Sequence, residues 1–176
     1  MLGLDGTRLY GDDPQGVARG RLVSRTKTTH ALGTEVSITA LHDDGNVATH
    51  AIDQAFAELR LVEDLMSVYQ PDSQLSRLNR ERAVEAPHPY FVQVLRVAER
   101  MSRQSDGAFD VTVQPLWSLF AAAKKTGRLP ADDAIEAARR KVDWRQVEVA
   151  AESVRLRGEA TITLNGIAQG FAADRA

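Results

Sequence analysis

One glycine-rich loop and three polar clusters hold the residue types from which a binding site can be built. Asn165-Gly166-Ile167-Ala168-Gln169-Gly170 sets two glycines just ahead of a helical pattern. Glycines let a ligand approach backbone N–H groups, and the start of a helix favours phosphate oxygens. The same loop equally suits a plain strand-to-helix connection. Ser67 to Asn79 (SVYQPDSQLSRLN) crowds hydroxyls, amides and Tyr69 between two helical stretches. Ser105 to Thr112 (SDGAFDVT) places Asp110 two residues before Thr112, an arrangement also suited to an Asx or ST turn. Leu32-Gly33-Thr34 is compatible with a hairpin turn or bulge. His30, His42, His50 and His88 show no helical pairing and no HExxH pattern, which argues against a histidine metal site. Without cysteine there is no thiolate metal site, Cys nucleophile or disulfide framework. A G-x-S-x-G elbow, a Walker A loop and a complete G-x-G-x-x-G are also missing.

These clusters fall between elements of alternating type. From Arg21 to Leu41, β-branched residues and the alternation of Val36, Ile38 and Ala40 predict two strands with one buried face, broken at Gly33. His42 to Asn46 supplies turn and cap chemistry. Ile52, Phe56, Leu59, Val62 and Met66 then mark one face of a long amphipathic helix, expected to end at Pro71-Asp72. A short helix capped by Ser73 follows. Pro87 and Pro89 open another, with Phe91, Val94, Leu95, Ala98 and Met101 on one face and a stop at Ser105-Asp106-Gly107. Leu116, Trp117 and Phe120 suggest a further short helix, and Pro130 begins one more. The period returns to two in VEVA (147–150), SVRLR (153–157) and ATITL (160–164), which predict short strands. The last pattern, after Gly166, is a glycine-rich turn leading into a helix start.

Composition bounds the class. The 176 residues include 22 Lys+Arg and 24 Asp+Glu, a net charge of −2, with 43% apolar and 26% charged residues. That is ordinary globular material in one domain, with no basic excess pointing to nucleic acid or an anionic membrane surface. No apolar run approaches the roughly 18 residues of a spanning helix, so membrane association is expected only through a partner or a removed N-terminal signal. Residues 1–20, rich in Gly and Asp, are expected to be a flexible leader to a domain over 21–176.

In order, the clusters resemble the ApbE family of FAD:protein FMN transferases. Leu32-Gly33-Thr34 is similar to the family's Met-Gly-Thr. Ser67, Tyr69, Ser73, Ser76 and Asn79 match Ser-x-Tyr-x-x-x-Ser-x-x-Ser-x-x-Asn. Ser105, Gly107, Ala108, Phe109, Asp110 and Thr112 match Ser-x-Gly-Ala-Phe-Asp-x-Thr, followed by Pro115-Leu116-Trp117. Leu164 to Asp174 resembles Leu-Gly-Gly-Ile-Ala-Lys-Gly-Tyr-Ala-x-Asp, with Asn165 in place of Gly and Gln169 in place of Lys.

The resemblance implies a single α+β domain with a mixed or antiparallel sheet flanked by helices. It also implies that this chain stops on the C-terminal side of a longer family pattern, which carries further metal-site residues. The implied activity is Mg²⁺-dependent transfer of FMN from FAD to a Ser or Thr hydroxyl of an acceptor flavoprotein, releasing AMP. The implied partners are FAD and a flavoprotein of a respiratory or electron-transfer complex, and the implied compartment is the periplasm. Carried over by position, Leu32, Tyr69, Gly107, Ala108, Phe109, Asp110 and Asn165 would contact FAD, and the Ala168 carbonyl would face Mg²⁺. The implied chemistry needs the missing metal-site residues, so the 176-residue chain alone is expected to be inactive. A non-catalytic FAD carrier or chaperone for a respiratory flavoprotein is the alternative.

Overall fold

Val36, Ile38 and Ala40 alternate with exposed residues along their strand and turn toward a helix, and from that contact the fold is built. The structure, a computed structural model, describes residues 21–176. The expected leader, 1–20, lies outside the described residues. Strands β1 (Val23–Ala31) and β2 (Thr34–His42) form an antiparallel hairpin with Ala31 opposite Thr34. Register puts Arg25, Lys27 and Thr29 opposite Ala40, Ile38 and Val36, so β1 offers polar groups to the inner face. Lys27 accordingly pairs with Asp53 on the helix beneath. The expected buried face is therefore only half-buried.

Helix α1 (Gly45–Met66) begins where Asp44 caps the Asn46 N–H at 2.7 Å. Its buried stripe, from Ala48 through Ile52, Phe56, Leu59 and Val62 to Met66, forms the spine of the core. The helix ends at Met66 rather than at Pro71. Ser67 is extended, and its carbonyl accepts from Ser73 Oγ at 2.6 Å and Ser76 Oγ at 3.3 Å. The helical partner of the Ser67 carbonyl would be residue 71, a proline with no N–H, so the Ser73 and Ser76 hydroxyls take that place and α1 stops short. Ser73 then caps α2 (Gln74–Glu81) through the Ser76 N–H at 2.9 Å.

Arg82, left-handed at φ 69°, turns the chain into β3 (Ala83–Glu85), which the sequence pattern was too short to reveal. Helix α3 (Pro89–Gln104) packs Phe91, Val94, Leu95 and Ala98 into the core. Helix α4 (Gln114–Thr126) buries no residue fully and leaves Trp117 and Phe120 exposed. Helix α5 (Asp132–Arg139) starts after Ala131, two residues beyond Pro130. Strands β4 (Val147–Val149) and β5 (Ser153–Leu156) join β3 in an antiparallel sheet ordered β3-β5-β4. The architecture is thus α+β with two antiparallel sheets among the described residues.

Residues 160–164, expected to be a strand, join no ladder. The Asn79 side chain bonds both the carbonyl and the N–H of Ile162, at 2.9 and 2.8 Å, and Thr163 N–H donates to Val111 O at 2.8 Å. A side-chain amide thus stands in for a neighbouring strand, which leaves Ile162 fully buried with its backbone polarity met. Helix α6 (Ala168–Arg175) closes the described chain against α1 through Ala168 and Ala172. No helix among the described residues is long and apolar enough to cross a membrane.

Candidate functional site

Two hollows flank the stretch from Thr163 to Ala168. The first, about 470 Å³, is bounded by the β1–β2 turn, the end of α1 and the start of α6. The second, about 330 Å³, lies between that same stretch and the turn after α3.

The first hollow gathers Leu32, Tyr69, Asn165 and Ala168 from three distant parts of the chain. Leu32 and Gly33 form the two-residue hairpin turn, at φ 53° and 76°, the double left-handed signature of type I′ geometry. Leu32 N–H donates to Glu63 Oε1 on α1 at 3.1 Å, and Leu32 O accepts from Gln169 Nε2 on α6 at 3.3 Å. Tyr69 is 68% exposed at the rim. Its ring meets Trp117 of α4 edge-on, with centroids 6.3 Å apart and planes at 69°. An aromatic ring held this way offers an open face for stacking. Met66 and His30 complete an aliphatic and polar wall.

The second hollow holds Gly107, Ala108, Phe109 and Asp110 against Thr163, Gly166 and Ile167. Asp106 and Gly107 are both left-handed, at φ 50° and 82°. The turn's own donors are committed internally. Gly107 N–H bonds Ser102 O at 2.8 Å, Ala108 N–H bonds Ser105 O at 3.1 Å, and Phe109 N–H bonds Ser105 Oγ at 3.0 Å. Asp110 Oδ1 accepts from the Thr112 N–H at 2.7 Å and the Thr112 hydroxyl at 2.6 Å, while Oδ2 accepts from Trp144 N–H at 3.0 Å. Thr112 Oγ1 in turn accepts from Asp143 N–H at 2.8 Å. The Asp110 carboxylate thus ties its turn to the segment before β4. What this turn presents to the hollow is shape, carbonyl oxygens and the Phe109 ring.

Between the hollows stands the first turn of α6. Ile167, the residue before the helix, faces the second hollow, and Ala168, the first helical residue, faces the first. No side chain caps this end; the Ala168 N–H donates to Leu164 O at 2.8 Å, so the helix start offers an anion its dipole and the donors that follow Ala168. The arrangement offers a ring site on each side and an anion site between.

Of the residues singled out from sequence, Leu32, Tyr69, Asn165 and Ala168 meet in one hollow, and Gly107 to Asp110 line the adjoining one. Glu63 and Trp144 escaped the sequence reading, and Trp117 entered it only as a helix marker and within the Pro115-Leu116-Trp117 match. Glu63 is one polar position among many on an amphipathic helix. Trp144 sits under the Gly107 turn, its Nε1 3.8 Å from where a Cβ on Gly107 would lie, with the Arg145 guanidinium 4.7 Å from its ring centre.

The family model described as the ApbE family matches residues 32–176. The chain is 30% identical over 166 residues to a FAD:protein FMN transferase of Haemophilus influenzae, covering 82% of this chain and 45% of that protein. It is 34% identical over 100 residues to the FAD:protein FMN transferase of Vibrio cholerae, covering 54% of this chain and 29% of that one. Among solved structures, the ApbE protein of Thermotoga maritima superposes with a TM-score of 0.77 at 25% identity, covering 87% of this chain and 51% of that one. The flavin transferase ApbE from Vibrio cholerae gives 0.73 at 25% identity, over 88% and 52%. The chain spans about half the length of the relatives it matches, or less.

Proposed function

Because the chain belongs to the ApbE family, we propose that it forms the FAD-binding portion of a FAD:protein FMN transferase. The observation that carries this reading is the pair of hollows sharing the 163–168 stretch, with an uncapped helix start between them. FAD has the same order of parts: a ring, a diphosphate and a second ring. Tyr69 stacks on the isoalloxazine while Leu32 and Asn165 border it. The adenosine end lies against Gly107, Ala108, Phe109 and Asp110, and the diphosphate meets the N-terminus of α6. In the reaction an acceptor Ser or Thr oxygen attacks the FMN phosphorus, the anhydride P–O bond breaks, and AMP leaves while the hydroxyl proton is lost. Holding both ends of FAD fixes the phosphorus for that attack, which is where positioning lowers a phosphoryl-transfer barrier.

Mg²⁺ takes about six oxygens in near-octahedral array. Among the described residues no three His, Asp or Glu gather into a cation cage, and Ala168 supplies one backbone position. These residues alone do not make a Mg²⁺ site, so metal dependence is proposed for the whole protein. The paired hollows would equally serve a second reading, a non-catalytic FAD carrier for a respiratory or electron-transfer flavoprotein. The proposed compartment is the periplasm, checked by fractionating cells that express the whole protein. The 176-residue chain by itself binds FAD and releases no AMP; AMP appearing with this chain overturns that expectation. The whole protein, given FAD, Mg²⁺ and an acceptor, should yield AMP and an acceptor carrying flavin fluorescence that survives denaturation and is lost with EDTA. Failure of AMP release despite tight FAD binding would favour the carrier.

A further inference from the structure

Two-residue type I′ turns favour Asn-Gly or Asp-Gly, because both central residues must be left-handed. Here the first position is Leu32, at φ 53°, a conformation that a side chain such as leucine's rarely adopts. The local sequence therefore does not specify this turn, and something outside it must. Two contacts do so. The Leu32 N–H donates to Glu63 Oε1 at 3.1 Å, and the Leu32 carbonyl accepts from Gln169 Nε2 at 3.3 Å. The contacts come from α1 and α6, the two helices that with the turn enclose the first hollow, and both Glu63 and Gln169 line it. A polar side chain reaching from each helix to the two peptide groups that flank one strained residue is a means of setting a wall at a fixed place. Glu63 is half-buried, so its hydrogen bond is little diluted by water; Gln169 is exposed and contributes the smaller share.

We infer that Glu63, assisted by Gln169, is a positioning residue that holds the left-handed Leu32–Gly33 turn as the flavin-facing wall of the first hollow. The inference rests on the flavin reading of that hollow, yet the holding of the turn is measurable without any flavin. In the 176-residue chain, Glu63→Ala should raise the exchange rate of the Leu32 amide about tenfold or more while α1 core amides stay protected. Glu63→Gln, which keeps a carbonyl acceptor, should restore protection. FAD affinity, titrated by quenching of flavin fluorescence, should fall about tenfold in Glu63→Ala and about threefold in Gln169→Ala, and recover in Glu63→Gln. Replacing Leu32 by Asn gives the turn its own left-handed preference, so Glu63→Ala should cost much less affinity in a Leu32→Asn background than in the parent.

Leu32 exchange unchanged by Glu63→Ala overturns the holding role. Faster exchange with unchanged FAD affinity overturns the positioning role, as does an equal loss in both backgrounds. An unmodified chain that binds no FAD, with Leu32 still protected through Glu63, overturns the flavin reading and the wall's function while leaving the hydrogen bond established.

Discussion

Tyr69 and Asp110 stand at opposite poles of what a site residue can be. Tyr69 is exposed, touches little besides Trp117, and lies at the rim of the first hollow. Tyr69→Ala should weaken FAD binding by about 1–3 kcal/mol, the usual worth of base-on-aromatic stacking, with no change in melting temperature. Equal affinity by fluorescence titration would remove Tyr69 from the site. The Asp110 carboxylate is instead committed to the Thr112 N–H, the Thr112 hydroxyl and the Trp144 N–H. Asp110→Ala should cost about 1–3 kcal/mol of stability by orphaning those donors, read as a lower denaturation midpoint. Any loss of FAD affinity follows from the loosened turn, so Asp110→Asn, which keeps an acceptor, should lose less of both. The sequence marked both residues through their motifs but could not separate their roles. That distinction lies in Asp143 and Trp144, more than thirty positions away.

At the scale of elements, periodicity carried well wherever a face is buried. The stripes of α1 and α3 and the alternation of β2 were all legible because burial imposes a period. It failed at three kinds of place. β3 is only Ala83–Glu85, too short to show a period. The end of α1 falls at Met66, ahead of Pro71, because the carbonyl that proline cannot serve is taken by the Ser73 and Ser76 hydroxyls. Residues 160–164 alternate like a strand, yet Ile162 is paired on both its polar groups by the single side chain of Asn79. This last point is testable. Asn79→Ala leaves the buried Ile162 N–H and carbonyl unpaired and should cost about 1–3 kcal/mol or more. Asn79→Asp replaces the donor facing the Ile162 carbonyl with an acceptor and should destabilise further; chemical denaturation of both variants measures the order. Asp being the milder change would show that Ile162 finds its partner elsewhere.

Across the whole molecule, the two hollows bind one ligand only if residues 32, 69, 107–110 and 165–168 keep their relative places. FAD present at about 100 times its dissociation constant should then stabilise the chain by about 2.7 kcal/mol, raising the melting temperature by roughly 5–10 °C for a domain this size. FMN and AMP, each filling one end, should shift it less. An FMN shift equal to that of FAD would confine the ligand to the first hollow. The Asn79 bridge joins residues 83 positions apart, and Arg82 reaches the carbonyls of Arg157, Gly158 and Ala160 in the same region. On the ribosome, therefore, α2 must wait for 83 further positions before the partner of Asn79 emerges. Until then α2 rests only on α1 and β3, and the rate of synthesis past Ile162 governs how long it waits for its remaining side.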